Sequence, residues 1–246
     1  MAYQSIFRRY EIKYLLSEEQ KEAVLTAIDP YMELDKYGRT TIRNVYFDNE
    51  SYQLIRRSIE KPAYKEKLRI RSYVRATPDS RVFVELKKKY DHVVYKRRIA
   101  LPERDAMRWV ADGETAPLDT QISREIDYFA SFYGRLFPSV FLSYEREAFY
   151  EKNGGDFRIT FDDNILAREE RISLLEDTYG TPILPEGKIM MELKCSGAIP
   201  LWMVEVLSRE KIYKTSFSKY GRAYEQMIIP RLGMQKRREK ELKLNV

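Results

Sequence analysis

The chain is nearly devoid of two reactive residue types: its 246 residues include one cysteine, Cys195, and one histidine, His92. A single thiol excludes a disulfide framework within the chain and fits a reducing, cytoplasmic setting. A Ser-His-Asp triad would have to use His92, and nothing around it supports one. No Walker-type loop and no G-x-G-x-x-G is present, which excludes the usual P-loop and Rossmann nucleotide sites. No apolar run approaches the ~18 to 20 residues of a membrane helix. The longest, "AIPLWMVEVL", carries Glu205 and reads as a core helix. The start, "MAYQSIFRRYEIKY", lacks the apolar stretch of a secretory signal. Internal repeats and low-complexity linkers are also missing.

What is present is a charged but well-packed composition: 43% hydrophobic and 33% charged residues, with net charge +6 and pI near 9.1. Such a chain is globular rather than disordered and long enough to bury a core. Its basic balance favours anionic partners without choosing among nucleic acid, membrane surface and phosphorylated small molecules.

Strand-like runs alternate with a few helices. "SEEQKEAVLTAI" opens with a capping box, Ser17 and Gln20. "PERDAMRWVADG" and "DTQISREIDYFASFYG" predict two central helices, the second with Ile122, Ile126 and Phe129 on one stripe. Asn153-Gly154 predicts a hairpin turn between two alternating runs. "AIPLWMVEVLSRE" and "SFSKYGRAYEQMII" predict helices near the end. The order predicts an α+β fold, mainly antiparallel, with a domain over 1–230 and a basic, solvated or frayed tail over 231–246.

Alternation along the strands separates two faces. In "KEKLRIRSY", Lys67, Arg69 and Arg71 oppose Leu68 and Ile70. Glu85, Lys87 and Lys89 share a face, as do Lys96 and Arg98, Arg146 with Tyr144 and Ala148, and Arg158 with Thr160 and Asp162. Lys188, Met190, Glu192 and Lys194 form another row, and Glu11 and Lys13 another. One such strand alone reads as the wet side of a half-buried sheet. The set reads differently, because like charges on neighbouring strands are destabilising. A closed barrel with a cationic interior and outward apolar faces under helices accounts for it. That interior must hold water or an anion, since an unpaired buried charge is very unfavourable. Arg and Lys together suit phosphate, and the lone glutamates Glu11, Glu85 and Glu192 suit a divalent metal bridging phosphate oxygens. Lys87 and Lys96 also fit a structural role as ion-pair partners of Glu85 and Glu11.

The ordered stretches "FRRYEIKYLL", "VYFDN", "KLRIRSY", "FVELKKK", "YEREAF", "RITFDDNI", "MELKCSGAIPLWM" and "FSKYGRAYE" resemble the triphosphate tunnel metalloenzymes, specifically the polyphosphate polymerase domain of the vacuolar transporter chaperone (VTC) family. The resemblance implies an eight-stranded antiparallel barrel forming a tunnel flanked by helices. It implies transfer of the terminal phosphate of ATP to pyrophosphate or polyphosphate, with Mn2+ or Mg2+ as cofactor. Arg69 and Arg71 match the first basic pair, Lys87 and Lys96 the next positions, Arg146 and Arg158 a later pair, Glu192 the metal ligand and Lys219 the helix lysine. The expected catalytic positions are therefore Lys87, Lys96, Arg146 and Arg158. The expected phosphate and nucleotide contacts are Lys13, Lys67, Arg69, Arg71, Lys89, Lys194 and Lys219, and the expected metal ligands Glu192, Glu85 and Glu11.

Arg9 stands where tunnel hydrolases and cyclases begin an E-x-E-x-K motif, which points toward the polymerase branch. Ser216 stands where the polymerase motif has a lysine, with Lys214 nearby. Two related readings stay open: a tunnel hydrolase using water as acceptor, and a non-catalytic polyphosphate-binding domain. A nucleic-acid platform is disfavoured because Phe83, Phe149, Phe157 and Phe161 are expected off the cationic faces. Cys195 reads as a small buried residue. The resemblance also implies a membrane-protein partner, which the basic tail from Arg231 would contact.

Overall fold

The structure, a computed structural model, describes residues 10–60, 62–91 and 93–244, the side chains of 236 and 238–244 excepted. Arg9 and His92 lie outside the described residues. Strand β1 (Tyr10–Leu16) leads into helix α1 (Glu18–Ile28). The capping box forms there: the Gln20 N–H donates to Ser17 Oγ at 3.2 Å and the Ser17 N–H to Gln20 Oε1 at 3.0 Å. Then come β2 (Met32–Leu34), β3 (Thr40–Asp48), α2 (Gln53–Ile59), β4 (Tyr64–Ser72), β5 (Arg81–Tyr90) and β6 (Val93–Pro102). Helix α3 (Glu103–Met107) continues as a π turn to Asp112, and α4 (Gln121–Tyr133) follows. The hairpin of β7 (Phe137–Glu151) and β8 (Arg158–Arg168) turns at Gly154, whose φ of +73° favours glycine. β9 (Thr181–Pro182), β10 (Ile189–Cys195), α5 (Leu201–Arg209), β11 (Lys214–Thr215), α6 (Lys219–Ala223), a π turn (Tyr224–Ile228) and α7 (Ile229–Leu244) complete the chain.

Two elements depart from the sequence reading. Helix α2 carries no apolar periodicity long enough to reveal it. Its first amides are held from outside, by Asp48, whose carboxylate accepts from the N–H groups of Leu54 at 2.9 Å and Ile55 at 3.0 Å. The stretch from Arg231 is helical to Leu244 rather than frayed, and Arg231 ties it down by donating to Glu169 at 2.9 Å and to the Tyr52 hydroxyl at 2.7 Å.

The strands form one antiparallel sheet of eleven, ordered β11-β1-β10-β8-β7-β3-β4-β5-β6, with β2 added on β7 and β9 on β8. The expected closed eight-stranded barrel is not what the backbone forms, because the edge strands β6 and β11 are not bonded to each other. The sheet nevertheless curls strongly. Five strands lie between β1 and β5, a flat separation of about 29 Å at the usual spacing. Yet Lys87 Nζ on β5 lies 2.6 Å from Glu11 Oε2 on β1.

On the convex side, Leu68, Ile70, Val82, Val84 and Leu86 pack under Trp109 and under Ile126 and Phe129 of α4. Ile159, Phe161, Met191 and Leu193 pack under Val24 and Ile28 of α1 and Met203 and Val206 of α5. Each such side chain contributes roughly 1.5–3 kcal/mol on burial. The concave side is not polar throughout, as the alternation had suggested. A third cluster, including Ile42, Val140, Leu142 and Met190, fills part of it against Phe217, Tyr220, Tyr224 and Ile228 of the C-terminal segment. Among the described residues no helix is long and apolar enough to cross a membrane.

Candidate anion-binding site on the concave face

Three rows of directly opposed residues run across β4, β5 and β6. They are Lys67–Lys87–Lys96, Arg69–Glu85–Arg98 and Arg71–Phe83–Ala100. The first row sets three ammonium groups side by side, an unfavourable arrangement unless carboxylates interleave. The second row supplies one. Glu85 is fully buried; Oε2 accepts from Arg69 Nε at 2.9 Å, and Oε1 accepts from Arg98 Nε at 2.7 Å and lies 2.7 Å from Lys96 Nζ. Burial works to raise its pKa, but Arg71, Arg69, Lys96 and Arg98 outweigh burial and hold it well below the usual carboxylate range. Lys96 is on the losing side of the same cluster. Enclosure, then the nearby Arg71, Arg69 and Arg98, push its ammonium down to about 6 against the pull of Glu85.

The arginines are aimed by neutral groups. Arg69 donates from Nη1 to the Tyr46 hydroxyl at 2.8 Å. Arg71 donates from Nε to Asn44 Oδ1 and from Nη2 to the Tyr144 hydroxyl, both at 2.9 Å. Tyr144 is buried, which raises its pKa, yet Arg71, Arg146 and Lys219 bring it down to about 8.

Across the curl, β1 and β10 form a checkerboard in which Glu11 opposes Lys194 and Lys13 opposes Glu192. Glu192 is buried; Lys194, Lys13, Lys87 and Arg146 overcome that burial and hold its carboxyl well below the usual range. Burial, with Glu192, works to raise Glu11, and Lys87 and Lys194 together outweigh them and leave it lowered. Lys13 donates to the Phe217 carbonyl at 2.7 Å and is pushed to about 8, chiefly by burial. On β8, Asp162 is fully buried and receives Arg146 Nε at 2.6 Å, Arg146 Nη2 at 2.7 Å and Lys219 Nζ at 2.6 Å. These cations override burial and hold Asp162 at about 2.

Three groups are left with little compensation. Lys67 Nζ donates to Ser218 Oγ at 2.8 Å, and burial with Lys13, Lys65, Lys87 and Arg69 lowers it well below an ordinary lysine. Arg158 lies over the Tyr150 ring at 4.7 Å, opposite Lys194, and its Nε is buried without a hydrogen-bond partner. The Thr160 hydroxyl, opposite Glu192, is likewise buried without one. Buried donors without acceptors beside surplus cations are what an anion would satisfy.

The structure thus brings together Lys13, Lys67, Arg69, Arg71, Lys87, Lys96, Arg146, Arg158, Lys194 and Lys219 with the three glutamates on one concave surface. Lys89 sits further along β5, opposite Lys65 and Val94. The structural pairing expected for Lys87 and Lys96 is present: the first touches Glu11 and the second Glu85. Of the three glutamates, Glu192 and Glu11, on the adjacent strands β10 and β1, would be the ones to hold a divalent metal, with Glu11 Oε2 also paired to Lys87 at 2.6 Å. Both oxygens of Glu85 are already engaged by cations. Among the described residues no three His, Cys, Asp or Glu side chains form a metal-holding group.

The sequence reading missed the roles of Asp162, Asn44, Tyr46, Tyr144, Arg98 and Ser218. Asp162, Tyr144 and Arg98 carried the right alternation, but nothing marked them as partners of particular cations. One expectation is overturned: Phe83 is directly opposite Arg71, so it shares the cationic face, with the Arg98 guanidinium 4.3 Å over its ring.

The VTC domain family matches residues 8–228. No curated protein matches the chain. Among solved structures, a candidate adenylate cyclase from Bacillus halodurans shares 15% identity over 87% of this chain and 96% of its own, with a TM-score of 0.56. At that identity the likeness shows the fold alone. A candidate adenylate cyclase from Vibrio parahaemolyticus, 12% identical, covers 86% of this chain and 95% of its own at a TM-score of 0.43. With the cationic concave sheet and a match over nearly its whole length, the chain belongs to the VTC domain family.

Proposed function

We propose that this chain transfers the terminal phosphoryl group of ATP to the end of a phosphate or polyphosphate chain, in a divalent-metal-dependent reaction. An oxygen of the acceptor chain attacks Pγ, the bond from Pγ to the bridging oxygen breaks, and ADP leaves with that oxygen. Such transfers need positioning and charge neutralisation more than covalent help from the protein. The observation that carries the reading is the surplus of cations over carboxylates on one concave face, with Lys67 and Arg158 short of partners.

In this reading Lys87, Lys96, Arg146 and Arg158 surround the transferring group. Lys13, Lys67, Arg69, Arg71, Lys89, Lys194 and Lys219 hold the flanking phosphates. Glu192 and Glu11 would hold Mn2+ or Mg2+, which would supply neutralisation of phosphate charge. Lys96, whose ammonium is depressed to about 6 in the free protein, would hold its proton more firmly as phosphate charge arrives.

The test is incubation of purified protein with γ-labelled ATP, Mn2+ and a pyrophosphate primer, with products resolved by gel. A ladder of labelled polymer that disappears in Glu192→Ala supports the reading. Labelled orthophosphate alone replaces it with a tunnel hydrolase. Neither product, with tripolyphosphate still bound, replaces it with a binding domain.

A further inference from the structure

Phe83 is an apolar ring in an unusual place. It is on the charged face, in register with Arg71 on one side and the small Ala100 on the other. Neither Phe83 nor Tyr73 belongs to any of the three hydrophobic clusters of the described residues. Tyr73 follows β4 and is 41% exposed, and its ring meets Phe83 edge-on at 5.7 Å. Two guanidinium groups approach the same ring, Arg98 at 4.3 Å and Arg81 at 5.9 Å. Arg98 joins this aromatic corner to the cation cluster. Its Nη2 donates to the Tyr73 hydroxyl at 2.9 Å while its Nε donates to Glu85 at 2.7 Å. One side chain therefore spans the distance between the exposed Tyr73 ring, beside the half-buried Phe83, and the carboxylate around which Arg69 and Lys96 gather.

Aromatic rings and guanidinium planes are the two surfaces on which nucleobases stack, and the rings do not help to bind an inorganic phosphate chain. We propose that Tyr73, Phe83, Arg81 and Arg98 form a subsite for the base of a nucleoside triphosphate whose phosphates lie among Arg69, Arg71 and Lys96. The proposal rests on the phosphate reading of the concave face and adds to it a preference for nucleotide over inorganic triphosphate as donor. Stacking is tolerant of base identity, so the corner accepts nucleobases generally rather than one base.

The test compares ATP and tripolyphosphate binding by calorimetry in the full chain and in Phe83→Ala, Tyr73→Ala and Tyr73→Phe. The two alanine variants are expected to weaken ATP by about tenfold while tripolyphosphate stays within about twofold, and Tyr73→Phe, which keeps the ring, is expected to retain most ATP affinity. Equal weakening of both ligands overturns the proposal and makes the corner an anchor for Arg98. Unchanged ATP affinity in both alanine variants overturns it as well. Wild-type protein that binds tripolyphosphate and not ATP removes the subsite and ATP as the donor and leaves phosphate binding by the concave face standing; wild-type protein that binds neither removes all three. Saturation-transfer NMR on the wild-type chain needs no variant: adenine H2 and H8 must receive saturation from the protein, and base protons as unaffected as those of free ATP contradict stacking.

Discussion

Lys87 on β5 and Glu11 on β1 form a 2.6 Å ion pair across five intervening strands. The pair bridges the curl of the sheet where backbone bonds do not. Both side chains keep partial solvent contact, 35% for Lys87 and 20% for Glu11, so its contribution is that of a screened pair. A double-mutant cycle with Lys87→Met and Glu11→Gln, read by denaturant unfolding at low salt, is expected to give a coupling of about 1 kcal/mol. A coupling near zero would mean that the curl is held by its helices alone.

Glu85 and Glu192 are both buried carboxylates, and their replacement separates structure from metal binding. Glu85→Ala leaves Arg69, Arg98 and Lys96 gathered around nothing, and is expected to cost about 3–5 kcal/mol in urea unfolding. Glu192→Gln keeps the shape and one acceptor, and is expected to lose metal-dependent activity with a much smaller stability change. Equal stability losses in the two variants would contradict the division.

Stability at low pH reports on Asp162. Its pKa, about 2 in the folded chain, is below the ordinary 3.8 because Arg146 and Lys219 outweigh burial. A depressed acid stabilises the fold above its unfolded pKa and loses that contribution as pH falls through the folded value. The expected result is a loss on the order of 2 kcal/mol between about pH 4 and pH 2 that is missing in Asp162→Asn. An identical acid profile in the variant would place the effect elsewhere.

Lys96 is depressed in the other sense. With a folded value of about 6 it holds its proton less firmly than an ordinary lysine, and an arriving phosphate chain raises that value. Tripolyphosphate affinity is therefore expected to fall as pH rises above about 6, with proton uptake visible as a dependence of binding heat on buffer ionisation enthalpy. Lys96→Arg, permanently charged, is expected to show less uptake than wild type in the same buffers. Equal uptake in the two proteins would exclude Lys96 as the titrating group.

The strands, their two faces and the outward packing were legible because period-two alternation is local: Leu68 and Ile70 had to oppose Lys67, Arg69 and Arg71. The pairing of those cations was not legible. Arg146 and Lys219 converge on Asp162 from positions 16 and 57 residues away, and Arg69 and Arg98 meet on Glu85 only through strand register. Helix α2 was invisible because an external carboxylate, Asp48, organises its start. The partial filling of the concave face was hidden because Met190 and Glu192 obey the same alternation while facing an apolar cluster and a charged one. Phe83 lies two residues from Glu85 on β5, and the same alternation that places Glu85 on the cationic face places the ring there too.

Lys67 offers the most direct test of the central claim, because the fold gains little from its charge. It has Ser218 as acceptor, and Lys13, Lys65, Lys87 and Arg69 as repulsive neighbours. Lys67→Met removes a half-buried cation and keeps most of the apolar stem. If the concave face exists to bind a phosphate chain, the variant melts at the same or a higher temperature than wild type and binds tripolyphosphate about tenfold more weakly in calorimetric titration. Unchanged affinity, or no tripolyphosphate binding in the wild type, would contradict the account.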